Sequence, residues 1–169
     1  MTYNMKRRKL FNMDKEFEEK CLLKRNVTLE PSVSEIKDSR SKQFLAEQHK
    51  NNSDYFLECA KNLLSSTTPL AAILICHFAM EHKGNQLLAL HGYKVESHIC
   101  TQIGLSRIIG RKDLAKKLSD IFILRQSVGY RMTLKQSEES RTEAEKTINE
   151  TVFPFFEEVE KLVGQVNQK

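Results

Sequence analysis

The stretch "PLAAILICHFAM", Pro69 to Met80, limits the possible folds more than any other part of this chain. It is apolar almost all the way round a helix rather than along one stripe. A helix of that kind has to be covered on every side, as the central helix of a bundle is. It is too short for a bilayer, which needs about 20 apolar residues, and His77, Glu81 and His82 interrupt the apolar character. "SSTTP" before it reads as a stop and restart, with Thr68 as N-cap and Pro69 in the first turn. The periodicity carries the helix to about Leu90, where "HGYKVES" turns the chain.

The segments on either side supply the cover. A long helix is expected from about Ser34 to Leu64, capped by Ser32 or Ser34 after the break at Pro31. Its later half places Tyr55, Phe56, Cys59, Ala60, Leu63 and Leu64 at helical spacing. A shorter helix follows, capped by Ser97 and ended by Gly110. Asp113 is expected to cap a fourth helix, with Gly129 just past its end. A fifth starts near Ser137 and should kink at Pro154, which removes one ladder hydrogen bond. No segment alternates as a strand would. The predicted fold class is therefore all-α, an up-and-down bundle of four to five helices. Residues 31–169 form the bundle, and residues 1–30 form a basic leader with a short helix at "MDKEFEEKCLLKR", Met13 to Arg25.

"KRRK" at Lys6–Lys9 is followed by neither a hydrophobic region nor a cleavage site, so a cytoplasmic location is expected. Cys21, Cys59, Cys76 and Cys100 are widely spaced without a Cys-x-x-Cys pair, and reduced thiols are expected over a disulfide framework. Of the net charge of +5, residues 1–25 carry +4 and residues 107–135 carry +6, against −4 from residue 136 onward. Two basic islands of this kind suit either a phosphate-bearing partner or a solvated helix face.

Gly-rich phosphate loops, Gly-x-Ser-x-Gly elbows and His-Glu-x-x-His are absent. His77 and Glu81 share a helix face and, with His82, His91 or His98, could contribute metal ligands. Di-metal bundles want Glu-x-x-His on two helices, and no such partner motif occurs, so His77 is read as a core residue and no metal or other cofactor is expected. What remains is "ILRQSVGYRM", Ile123 to Met132. Here Arg125 falls within the stripe Leu114, Leu118, Ile121, Phe122 and Val128. A guanidinium there is costly unless a carboxylate, a second subunit or a ligand phosphate meets it.

The chain resembles the HEPN superfamily, in particular a branch of small prokaryotic proteins. The resemblance is carried by "MDKEFEEK", "LEPS", "AKNLLSSTTPLAAI", "HFAMEHKGNQLLALHGYKVESH", "LRQSVGY" and "SEES". The most specific parts are Gly92-Tyr93 to Ser97-His98 and the spacing of Arg125 to Tyr130. The departures are His77-Phe78, where the branch usually has Tyr-Tyr, and Gly129, where it often has Asp. The resemblance implies a helical bundle that pairs as a homodimer. It also implies a motif of Arg, four to six residues and His that converges at the dimer interface, and metal-independent ribonuclease activity in active members. Many of those are toxins partnered by a minimal nucleotidyltransferase.

Carried over, Arg125 matches the arginine, Gln126 the polar residue that often follows it, and Tyr130 the histidine. A tyrosine of ordinary pKa is only about 0.1% ionised at pH 7 and makes a poor base. The expectation is an RNA- or nucleotide-binding protein with weak or lost cleavage. Arg125 and Tyr130 are the residues nearest to catalysis, and Arg125, Gln126, Tyr130, Arg131, Arg111 and Lys112 are the nucleic-acid contacts. Two alternatives stand beside it. One is a partner module of a minimal nucleotidyltransferase in a toxin–antitoxin pair. The other is an active toxin ribonuclease in which Tyr130 works as an acid or His98 replaces the missing histidine.

Overall fold

The computed structural model describes Cys21, residues 32–130 and residues 138–168, the side chain of Tyr130 excepted. The expected helix at Met13–Arg25 lies outside the described residues apart from Cys21. Five helices, one of them bent, form the bundle. In chain order they are α1 (Ser39–Leu64), α2 (Ala71–Leu90), α3 (His98–Arg107), α4 (Lys112–Tyr130) and a final helix in three parts. Those parts are α5 (Glu138–Thr147), a π-helical turn (Ile148–Val152) and α6 (Phe153–Asn167).

The apolar helix sits at the centre. α2 packs against α1, α3, α4 and α6, and Ile73, Cys76, Met80 and Leu87 are fully buried. Its more polar second half is also enclosed. Lys83 is buried with its ammonium on Glu160 and near the Phe156 ring, and Asn85 accepts a hydrogen bond from the Thr101 hydroxyl at 2.9 Å. Leu114, Leu118, Ile121 and Val128 of α4 and Val152, Phe155 and Val159 of the last helix close the core.

Several boundaries differ from expectation for local reasons. α1 starts at Ser39, because Asp38 accepts from the Ser41 amide at 2.8 Å and is the cap in place of Ser32 or Ser34. α2 starts at Ala71, because Thr68 to Leu70 form a tighter turn with i→i+3 bonds, so Thr68 is not its N-cap. α4 starts at Lys112, and Asp113 holds Arg111 instead of capping. Gly129 lies inside α4, which continues to Tyr130. Gly110 does end the α3 segment, with φ of +80°. Pro154 interrupts the last helix as expected, through a π turn just before it, the Phe153 amide reaching back to Ile148. The wider turn absorbs the amide that proline lacks.

Two features were not expected at all. Val33–Glu35 (β1) and Tyr93–Val95 (β2) pair as an antiparallel ribbon, with Val33 opposite Val95. Beside it Cys21 and Cys100 form a disulfide, which overturns the expectation of four reduced thiols. The bond packs with Val33, Leu88 and Val95 in a second small core. Cys59 and Cys76 are free, and burial pushes the Cys76 thiol up to about 12. No described helix is long and apolar enough to cross a membrane.

Candidate functional site

The site forms where α4 crosses the middle of α2. Residues three and four apart share a helix face, so α2 presents His77 and Glu81 together, with Phe78 beside them, and α4 presents Phe122 and Arg125. α3 contributes His98, its first residue. Arg125 Nη1 lies 3.3 Å from His77 Nδ1. Its guanidinium carbon is 5.0 Å from the centre of the Phe78 ring and 5.8 Å from that of Phe122. His98 stacks on Phe122 at 4.7 Å, and His77 lies 5.3 Å from the same ring.

The electrostatics follow from burial. His77 is fully buried. Desolvation first, then the charges of Arg125 and His98, hold its pKa at about 4. At neutral pH it is therefore uncharged, and its 3.9 Å approach to Glu81 is not an ion pair. An arginine only donates, so Nδ1 accepts from Arg125 and the imidazole proton sits on Nε2. That buried nitrogen has no hydrogen-bond partner among the described residues. Burial raises the Glu81 carboxyl, with Arg125 opposing it, and burial and then Arg125 lower His98. Among the described residues no carboxylate comes within ion-pair distance of Arg125. The result is a permanent cation on two aromatic faces, with an unpartnered donor beneath it.

The expected site residues are only partly brought together. Arg125 is half-buried at the margin of its stripe. Gln126 follows it, exposed on the outer side of α4. Tyr130 is the last residue of α4; its side chain, and Arg131 altogether, lie outside the described residues. The structure does not bring Arg111 and Lys112 to Arg125. A 1.5 Å rise per residue puts them about 20 Å away at the other end of α4. Arg111 is also committed to Asp113 at 2.6 Å and Glu158 at 3.1 Å, and Lys116 to Asp120 at 2.5 Å.

Two of the candidate metal ligands turn to other partners. His82 meets His49 of α1, Nδ1 to Nδ1, at 2.9 Å, and His91 bonds the Leu87 carbonyl at 2.8 Å. Among the described residues no three His, Cys, Asp or Glu side chains form a group able to hold a metal ion. Sequence reasoning missed Phe78 and Phe122 as the walls around Arg125, whereas His98, offered as a replacement for the motif histidine, stacks on Phe122. The spacing of Phe122 to Arg125 and of His77 to Glu81 was the available signal, but nothing in it says which faces of α2 and α4 meet.

No family model, no curated protein and no solved structure matches this chain. The resemblance to HEPN proteins therefore rests on the residues quoted for it.

Proposed function

We propose that the Arg125 face binds the phosphate of RNA or of a nucleotide, in a HEPN-like homodimer that holds its ligand and cuts it weakly or not at all. The observation that carries this reading is the guanidinium held by a neutral histidine and two aromatic rings, with no carboxylate paired to it. An arginine whose task is structural usually ends on a carboxylate, because that offsets its lost hydration. One left without a carboxylate keeps its fork for an anion and can grip a phosphate through two parallel bonds. Ile123, 60% exposed two residues before Arg125, gives α4 an apolar contact for a second copy. The reading places the chain in the cytoplasm, where the Cys21–Cys100 bond would answer to the thiol pool.

Binding of RNA to wild type and to Arg125→Ala, across a range of salt concentrations, tests the proposal. The substitution should cost about tenfold or more in affinity and lower the salt slope by about one. Equal affinity in the two proteins, or no binding at low salt, ends it. Sedimentation of the same samples reads the dimer, which Ile123→Glu should weaken. Intact RNA after incubation agrees with Tyr130 at the histidine position. Cleavage lost with His98→Gln would instead give His98 the role of base.

A further inference from the structure

A second cluster of ligand-type side chains lies in the seam between α1 and α2. His49 of α1 and His82 of α2 turn their Nδ1 atoms toward each other at 2.9 Å. Their rings are tilted by 39°, with 5.2 Å between centres. The His82 ring is held in place by Phe56, which stacks on it at 5.6 Å with 10° between the planes. Gln86, four residues further along, shares the same face of α2. It is buried, and its side-chain oxygen meets no hydrogen-bond donor among the described residues.

A hydrogen bond between the two rings needs one of them to carry its proton on Nδ1. With both protons on Nε2, two nitrogen lone pairs face the gap instead. Two nitrogens about 2.0 Å from one ion stand about 2.8 Å apart at a right angle and about 3.3 Å apart at a tetrahedral angle. The observed 2.9 Å is closer to the right angle, which copper(II) and nickel(II) prefer.

We propose that His49 and His82 are the imidazole ligands of a late first-row divalent metal ion, copper(II) or nickel(II), with the Gln86 oxygen and water as further donors. Burial, and then the charge of His82, hold the His49 pKa at about 4, and burial lowers that of His82. Both rings are therefore neutral near pH 7, and protons do not compete for their nitrogens. The lysines next in sequence are already engaged, Lys50 with Asp54 at 2.8 Å and Lys83 with Glu160. Neither places an unpaired positive charge against the ion. An ion held there ties α1 to α2 and stabilises the folded chain by mass action. The site shares no residue with the Arg125 face and stands independently of it.

The test adds nickel(II) or copper(II) alone to the full chain and follows binding by calorimetry. One equivalent should bind, and nickel should raise the thermal unfolding midpoint. His49→Gln should weaken binding about tenfold or more, and Gln86→Leu should weaken it less. His91→Gln, outside the seam, should leave it unchanged. In the unaltered chain, paramagnetic nickel should broaden the ring resonances of His49 and His82 before that of His91, a readout that holds even if His49→Gln fails to fold. Equal affinity in His49→Gln, loss of binding in His91→Gln, or no uptake at an excess of metal would overturn the proposal. The pair would then be a hydrogen bond alone.

Discussion

Residue by residue, the site is governed by which groups are charged at neutral pH. Arg125 stays charged in any setting a protein provides, while burial keeps His77 and, across the α1–α2 seam, His49 neutral with pKa values of about 4. Unfolding returns both imidazoles to their ordinary value of about 6.5. Between those limits the unfolded chain binds more protons than the folded one, so stability is full above about pH 6.5 and is lost as pH falls toward 4. Glu81 works in the opposite sense, because its raised pKa favours the fold at low pH. Urea midpoints measured from pH 7.5 down to 4.5 should therefore fall, and His77→Gln should flatten the slope. A slope unchanged by that substitution would show that His77 does not titrate as its burial implies. Arg125 itself was legible in the sequence, since helical spacing along one segment sufficed to place it on an apolar stripe. Its partners were not, because His77 and His98 reach it through packing between helices.

Between elements, glycines leave α2 and α3 room to pack closely. A methyl at Gly104 of α3 would sit 3.0 Å from a Leu88 methyl of α2, and one at Gly84 would meet Leu105 and Thr101 at 3.2 Å. Gly104→Ala is expected to cost about 1–3 kcal/mol by overpacking, even though alanine is the better helix former. Thermal unfolding checks it, and a raised midpoint would mean that α3 can move away freely. The disulfide acts over a longer range. Cys21 and Cys100 are 79 residues apart, and closing a loop of that order restricts the unfolded chain by about 4 kcal/mol in the chain-entropy view. Reduction, or Cys100→Ser, should lower the unfolding midpoint, and an unchanged midpoint would show that the bond adds nothing. Long helices were readable from sequence because their periodicity repeats. The ribbon and the disulfide were not, since three-residue strands carry no visible alternation and cysteine pairing depends on where the fold brings two ends together.

For the molecule as a whole, the central apolar helix determines the architecture, and that much follows from Pro69–Met80. The charge distribution was a poorer guide. Of the basic residues that make up the +6 of residues 107–135, only Lys112, Lys116, Lys117 and Arg125 lie on α4, and Arg111 and Lys116 are held by neighbouring carboxylates. The arginine that matters lies at the margin of the core, among rings. Net charge by segment cannot reveal this, because pairing depends on which faces meet. The central claim is the proposed one, that the Arg125 guanidinium meets the phosphate of RNA or of a nucleotide. The most direct measurement follows the Arg125 Nε–H resonance of the labelled full chain while RNA is added. The predicted result is a saturable shift at Arg125, together with shifts at His77 and His98. A silent Arg125 signal, with the changes at Arg111 and Lys112 instead, would contradict the account.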